Sequence, residues 1–161
     1  MGAKINLIYS ESIDGIIGVN NDLYCKIKGD LKMFQLVTSL KYNNHENAII
    51  MGYNTWKSIR GPLKNRINIV ISRNHCEEMK AIDGVFSFES LQKMFNFLET
   101  IDYGKLFVIG GEKLFGEIIL KYSELIDVIY QTQISEEVPK SHYSSRNDVS
   151  YSTIPLIKMM M

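Results

Sequence analysis

The run from Asn47 to Ser72, NAIIMGYNTWKSIRGPLKNRINIVIS, constrains the fold more tightly than any other part of this chain. Ala48-Ile49-Ile50-Met51 has the length and composition of a strand buried on both faces. Gly52 lets the backbone turn, and Asn54 and Thr55 are N-cap residue types placed before a short helix over residues 56–59. Gly61-Pro62 ends that helix, and residues 67–71 form a second β-branched run. Arg66 opens the second strand, one cation ahead of apolar residues. A strand that ends at a helix N-terminus leaves unpaired N–H groups at the carboxyl edge of a sheet, which suits a phosphate.

A length of 161 residues predicts one domain with room for a substantial core. Hydrophobic residues make up 45% and charged residues 22%, the balance of an ordinary globular protein. The 18 basic and 18 acidic residues cancel, so no global field favours nucleic acid or an anionic membrane. Cys25 and Cys76 lack metal-ligand or redox spacing and read as reduced thiols, with a pairing between them left open. No apolar run reaches transmembrane length, and the N-terminus lacks the charged and apolar regions of a signal peptide. The expectation is a cytoplasmic monomer with no metal, no membrane contact and no nucleic-acid partner. Residues 1–6 resemble a myristoylation start, but Asn6 stands where Ser or Thr is needed, so entry into the first strand is the simpler reading. Met159-Met160-Met161 reads as a frayed end.

Residues 4–9 predict a central strand, and 10–28 a long loop with Gly15, Gly18 and Asn20-Asn21-Asp22 as turn formers. Loops of that length often close over active sites. Residues 30–41 predict a helix with Met33, Phe34, Val37 and Leu40 along one side. After the second strand come a polar loop, a short strand over 84–88 and an amphipathic helix over 90–99 with Leu91, Met94, Phe95 and Leu98 as its stripe. Residues 105–109 form a strand ending at Gly110-Gly111, 112–120 a helix and 125–134 a β-rich run. The tail from Ser135 is polar and irregular, with one strand near 149–154. Strands alternating with helices predict an α/β fold. Its central β-sheet is mainly parallel but mixed, flanked by helices, with ligands at the carboxyl ends of the strands.

MGYNTWKSI followed by PLKNRINIVIS is similar to the core signature of the dihydrofolate reductases. Met-Gly, Thr-Trp, Ser-Ile, Pro-Leu, Arg, Asn-Ile and Ser follow one another in that order without a gap. The resemblance is clear over residues 4–134 and weak after 140. It implies a single domain over 1–161 that reduces 7,8-dihydrofolate to 5,6,7,8-tetrahydrofolate. Hydride would pass from NADPH to C6 with protonation at N5, in one-carbon and thymidylate metabolism.

Asp30, read alone, is a carboxylate favourable at a helix N-terminus. Gly29-Asp30-Leu31, followed by Phe34 and Thr38, is similar to the family pattern in which this acid accepts two parallel hydrogen bonds from the pterin 2-amino group and N3. The resemblance implies that Asp30 orients the pterin while water supplies the proton. It also implies that Leu23 covers the nicotinamide and that Thr132 hydrogen-bonds the acid directly or through water. Asp30, Leu23 and Thr132 are thus the expected catalytic set. Ile8, Leu31, Phe34, Ile59, Leu63 and Ile109 are implied to line the substrate pocket. Arg66, alone a candidate for a surface ion pair worth ~0–1 kcal/mol, is implied to fork onto the α-carboxylate of the folate glutamate.

Gly110-Gly111, between LFVIG and EKLF, lets the backbone approach a pyrophosphate. A bare Gly-Gly is often just a tight turn. Here Val108-Ile109-Gly110-Gly111 matches the family's V-I-G-G, with Phe115 where Tyr is usual. Ser10, Ile17, Gly18, Gly52, Thr55 and Glu112 complete the implied cofactor site. Ser72-Arg73 is similar to the pair that contacts the adenosine 2′-phosphate, hence NADPH, although Arg73 alone would read as a solvated loop cation. Tyr53 and Asn54 stand where the family often carries basic residues, which implies weaker selectivity for the phosphorylated cofactor.

Three departures from the pattern matter. Tyr24-Cys25 replaces Pro-Trp, removing an indole near the pterin and bearing on lid closure. Tyr9 stands where a small residue is usual, so its phenol must turn aside or shrink the pocket. The chain ends before a last antiparallel strand, so an incomplete edge hairpin is expected. Two other readings stay open. One is reduction of a ribosylated aminopyrimidine, against which Asp30, Phe34 and Arg66 argue. The other is a module of low activity or none that binds folate or NADPH, which turnover would separate from an enzyme.

Overall fold

The computed structural model describes residues 3–12, 16–19, 22–23, 28–134 and 151–153, with side chains for 3–9 and 32–131. In chain order the elements are β1 (Ile5–Ser12), β2 (Ile16–Val19), β3 (Asp22–Leu23), α1 (Lys28–Ser39), β4 (Asn47–Gly52), α2 (Tyr53–Ser58), β5 (Arg66–Ile71), α3 (Cys76–Lys80) and β6 (Val85–Phe88). There follow α4 (Leu91–Leu98), β7 (Leu106–Gly110), α5 (Glu112–Lys121), a 3-10 turn at Ser123–Leu125, β8 (Ile126–Ile134) and β9 (Tyr151–Thr153). Six strands form one sheet in the order β6-β5-β4-β7-β1-β8, and every pairing in it is parallel. This is the expected α/β fold with a mainly parallel central sheet flanked by helices; among the described residues, antiparallel strands occur in a separate small sheet, β3-β2-β9. There β9 supplies the late strand expected near 149–154. No helix among the described residues is long and apolar enough to cross a membrane.

Ala48, Ile49, Ile50 and Met51 are all 0% exposed, as a strand covered on both faces requires. Ala48 and Ile50 join Ile5, Leu7, Ile69, Leu106 and Val108 under α4 and α5. Ile49 and Met51 join Ile8, Val70, Phe107 and Ile109 on the opposite face, toward Phe34 and Val37 of α1 and Trp56 of α2. Each fully buried Ile contributes about 1.5–3 kcal/mol. The stripe Leu91, Met94, Phe95 and Leu98 is buried as its spacing predicts, and Ser90 caps α4 by accepting the Lys93 N–H at 3.2 Å.

Several local expectations change. The region predicted as loop over 10–28 contains strand, because β8 pairs with β1 as far as Ser12↔Ile134 and β2 then turns back on β3. Gly15, Asn20, Asn21, Tyr24 and Cys25 lie outside the described residues. Helix α1 begins two residues before Asp30, which falls in its first turn rather than opening it. It ends at Ser39 rather than Lys41, because Asn43 and Asn44 take φ of 51° and 69° in a tight turn closed by Tyr42 and His45. Its buried side is Phe34, Val37 and Thr38; Met33 and Leu40 are 54% and 68% exposed, so the expected stripe is displaced by one position. Gly52, with φ −79° and ψ 170°, is the N-cap of α2, so Asn54 and Thr55 sit inside the helix instead of capping it. The polar loop after β5 contains α3, whose Cys76 and Met79 are buried one turn apart.

Asn47 ties this arrangement together. Its amide donates to the carbonyls of Thr38 and Leu40, both at 2.9 Å, and its Oδ1 accepts the Lys105 N–H at 2.7 Å. One buried side chain thus closes the C-terminal end of α1 and joins it to β4 and the start of β7. Asn47→Ala leaves three main-chain groups without this partner and is expected to cost about 2–3 kcal/mol. Urea unfolding checks it; a loss below about 0.5 kcal/mol, the range of an ordinary surface substitution, would contradict this role.

Candidate active site

The apolar residues expected around a substrate converge on one face of the sheet. Ile8 and Ile109 project from β1 and β7 and are 8% and 4% exposed. Phe34 from α1, Ile59 just past α2 and Leu63 in the following loop pack, half-buried, against the same cluster. Tyr9 alternates to the other face, where its ring meets Phe115 edge-on at 5.9 Å. The phenol therefore turns aside and does not narrow the space beside Ile8. Phe115 itself is 0% exposed and sits in the core under α5. It stands in α5, the helix that follows the Gly110-Gly111 turn.

Arg66 closes the far end of this face. Its Nε donates to the Lys64 carbonyl at 2.8 Å and its Nη1 to Thr38 Oγ1 at 3.0 Å. Thr38 is fully buried and its hydroxyl donates in turn to the Phe34 carbonyl at 2.7 Å. Asn68, also buried, holds the approach loop from both sides. Its Oδ1 accepts the Leu63 N–H at 2.9 Å, while its amide donates to the carbonyls of Leu63 at 2.9 Å and Arg66 at 3.1 Å. Asn65 takes a φ of 63° in that loop, a conformation asparagine tolerates. Burial lowers the pKa of the Arg66 guanidinium from its ordinary value, and no carboxylate pairs with it among the described residues. A half-buried cation without an acid is a receptor for an anion. The sequence pattern contained Thr38 but gave no sign that it, with Asn68, orients the arginine.

Two strand-to-helix turns meet at the centre of the carboxyl edge, after the neighbouring strands β4 and β7. Gly110 has a φ of 151°, open in practice to glycine, and the Gly110–Gly111 peptide is cis. Gly111 is the extended N-cap of α5. A Cβ on Gly111 would stand 3.3 Å from Thr55 Oγ1, and one on Gly52 3.9 Å from the Gly111 nitrogen. The space between the turns is thus kept open by missing side chains, beside the N–H groups of a ten-residue helix, which fits the pyrophosphate of a dinucleotide. Glu112 is exposed in the first turn of α5.

Ser72 and Arg73 follow β5 at the same edge. The Ser72 hydroxyl accepts the His75 N–H at 3.0 Å, and Arg73 is exposed without an ion pair among the described residues. Ser10 and Thr132 are register partners on β1 and β8, and Gly18 faces Leu23 in the small sheet, whose β3 lies against α2. The side chains of Ser10, Ile17, Leu23, Asp30, Leu31 and Thr132 lie outside those described. The backbone brings their strands and helix to the edge already occupied by Ile8 and Thr55. Thr38→Val removes the acceptor of Arg66 Nη1 and is expected to cost about 1–3 kcal/mol in urea unfolding; an unchanged midpoint would show that the pair is incidental.

The family model described as dihydrofolate reductase matches residues 4–154. A dihydrofolate reductase of Schistosoma mansoni is 34% identical over 151 residues, covering 90% of this chain and 80% of that protein. A solved structure of Schistosoma mansoni dihydrofolate reductase superposes with a TM-score of 0.72 at 34% identity, covering 86% of this chain and 78% of that one. The segregation and condensation protein A of Mycoplasmoides gallisepticum is 37% identical over 120 residues, 74% of this chain, which spans 19% of that protein's length.

Proposed function

Since the chain belongs to the dihydrofolate reductase family, oxidoreductases that reduce dihydrofolate with a nicotinamide cofactor, we propose that it converts 7,8-dihydrofolate to 5,6,7,8-tetrahydrofolate with NADPH, as one monomeric domain. The observation that carries this reading is the half-buried Arg66, paired with no acid among the described residues, at one end of the apolar face formed by Ile8, Phe34, Ile59, Leu63 and Ile109. That layout suits an extended ligand with a flat apolar body and a carboxylate at its distal end. The glycine-lined gap between Gly111 and Thr55 fits the dinucleotide pyrophosphate beside it.

In this reading Arg66, held by Thr38 and the Lys64 carbonyl, takes the α-carboxylate of the folate glutamate. Phe34 and Leu63 pack on the aminobenzoyl ring, and Leu31 with Ile8 flanks the pterin. Asp30 accepts the pterin 2-amino and N3 hydrogens and fixes the ring, with Thr132 as its hydrogen-bond partner and water delivering the proton to N5. Leu23, Ile17 and Gly18 cover the reacting face and exclude bulk water. Ser10, Gly52, Thr55, Gly110, Gly111 and Glu112 hold the cofactor along the carboxyl edge, and Ser72 and Arg73 meet its 2′-phosphate. The cofactor, when bound, supplies the hydride; what the chain adds is juxtaposition in a dry site.

The test is NADPH oxidation on addition of dihydrofolate, with two variants. Asp30→Asn is expected to lower kcat by about 10²–10⁴. Arg66→Leu is expected to raise the KM for dihydrofolate by about 10–100-fold, the worth of a hydrogen-bonded charge pair, with a smaller change in kcat. Wild-type protein that binds NADPH or folate without turnover would replace this reading by that of a binding module. Variants with wild-type kinetics would remove Asp30 and Arg66 from their roles.

A further inference from the structure

The side chains just beyond Arg73 form a cluster that the reaction as described does not use. Tyr53, the first residue of α2, stacks on His75, the residue before α3, with ring centroids 3.8 Å apart and planes 7° from parallel. His75 Nδ1 donates to Glu78 Oε1 at 2.5 Å. The nearby Glu78 carboxylate raises the Tyr53 pKa from its ordinary value. Lys57 Nζ lies 5.0 Å from the centre of the Tyr53 ring. The neighbouring acid Glu77 is engaged by Lys80 at 3.3 Å. Glu78 is thus held by His75 beside the stacked pair while its side chain stays 56% exposed.

The sheet order says what this cluster faces. The pyrophosphate cradle lies between the ends of β4 and β7, and the apolar substrate face includes Ile8 on β1, on the β7 side of that cradle. A dinucleotide whose reacting half extends toward β1 must lay its other half over the end of β5, on the opposite side. That end carries Ser72, Arg73 and His75, with Tyr53 across from it at the end of the adjacent β4; Gly52 and Ile71 are register partners. The ribose of that half bears either a free 2′-hydroxyl or a 2′-phosphate, which brings about −1.5 to −2 charges. Arg73 and Lys57 attract such a group, and Glu78 opposes it.

We propose that Glu78, held by His75 next to the Tyr53 ring, is a specificity-determining residue that weakens discrimination in favour of NADPH over NADH. The inference rests on the reductase reading above, because it requires a nicotinamide dinucleotide in the crevice. A carboxylate there accepts a hydrogen bond from a 2′-hydroxyl and repels a 2′-phosphate, so it acts on the two cofactors in opposite directions. The other acids near the stack are already paired, Glu77 with Lys80 at 3.3 Å and Glu89, just past the end of β6, with Lys93 at 3.2 Å.

The experiment is calorimetric titration of wild type, Glu78→Gln and Glu78→Lys with NADPH and with NADH, read as dissociation constants without substrate. Glutamine keeps a hydrogen-bonding atom for His75 and removes the charge. The NADH-to-NADPH ratio of Kd is expected to rise roughly three- to fivefold in Glu78→Gln, the scale of one exposed charge, and further in Glu78→Lys. A structural disturbance would weaken both cofactors alike and leave the ratio where it was. An unchanged ratio in both variants overturns the inference while leaving the reductase reading intact. Failure of wild type to bind either dinucleotide overturns both.

Discussion

A parallel sheet covered on both faces has openings in one kind of place, the ends of its strands. That constraint governs this protein. Strand β4 is sealed from above by α4 and α5 and from below by α1 and α2, and Ile49 and Ile50 have no exposed surface. Polar chemistry is thereby pushed to the carboxyl edge, where main-chain N–H groups emerge unpaired and each strand hands over to a loop or helix. The cradle at Gly111 and Thr55, the turn after β5 and the partners Ser10 and Thr132 all lie at that edge.

Arg66 is the exception, since it opens β5 at the opposite end. It lies against α1 through Thr38, and buried amides keep it there. Asn47 holds the end of α1 against the sheet, which fixes Thr38; Thr38 and the Lys64 carbonyl then hold the guanidinium. Asn68 fixes the loop from which Arg66 emerges. Among the described residues no carboxylate pairs with this half-buried arginine, and a side chain held in this way needs little reorganisation to meet an anion.

The sequence showed the sheet well because buried parallel strands are apolar throughout and glycines punctuate their ends. The order from Ala48 to Met51, the stripe of α4 and the Gly110-Gly111 turn are all of this kind. The face of α1 was harder to read. Met33 and Leu40 are apolar but exposed, while the buried Thr38 is polar, so composition pointed one position off the true stripe. Asn54 and Thr55 looked like caps, yet Gly52 performs that task because the chain turns directly from strand to helix. Helix α3 was hidden by its five-residue length and polar composition. The hydrogen-bond networks of Asn47 and Asn68, and the grouping of Tyr53, His75 and Glu78, depend on residues brought together by the fold. No local pattern announces them.

In the proposed reaction one crevice brings a nicotinamide ring against a pterin so that hydride passes directly between them. The most direct test is the fate of the label when the protein turns over dihydrofolate with NADPH carrying two deuterium atoms at nicotinamide C4. Direct transfer predicts one deuterium at C6 of the tetrahydrofolate and none acquired there from solvent. A product with solvent-derived hydrogen at C6, formed while the labelled cofactor is oxidised, would contradict it.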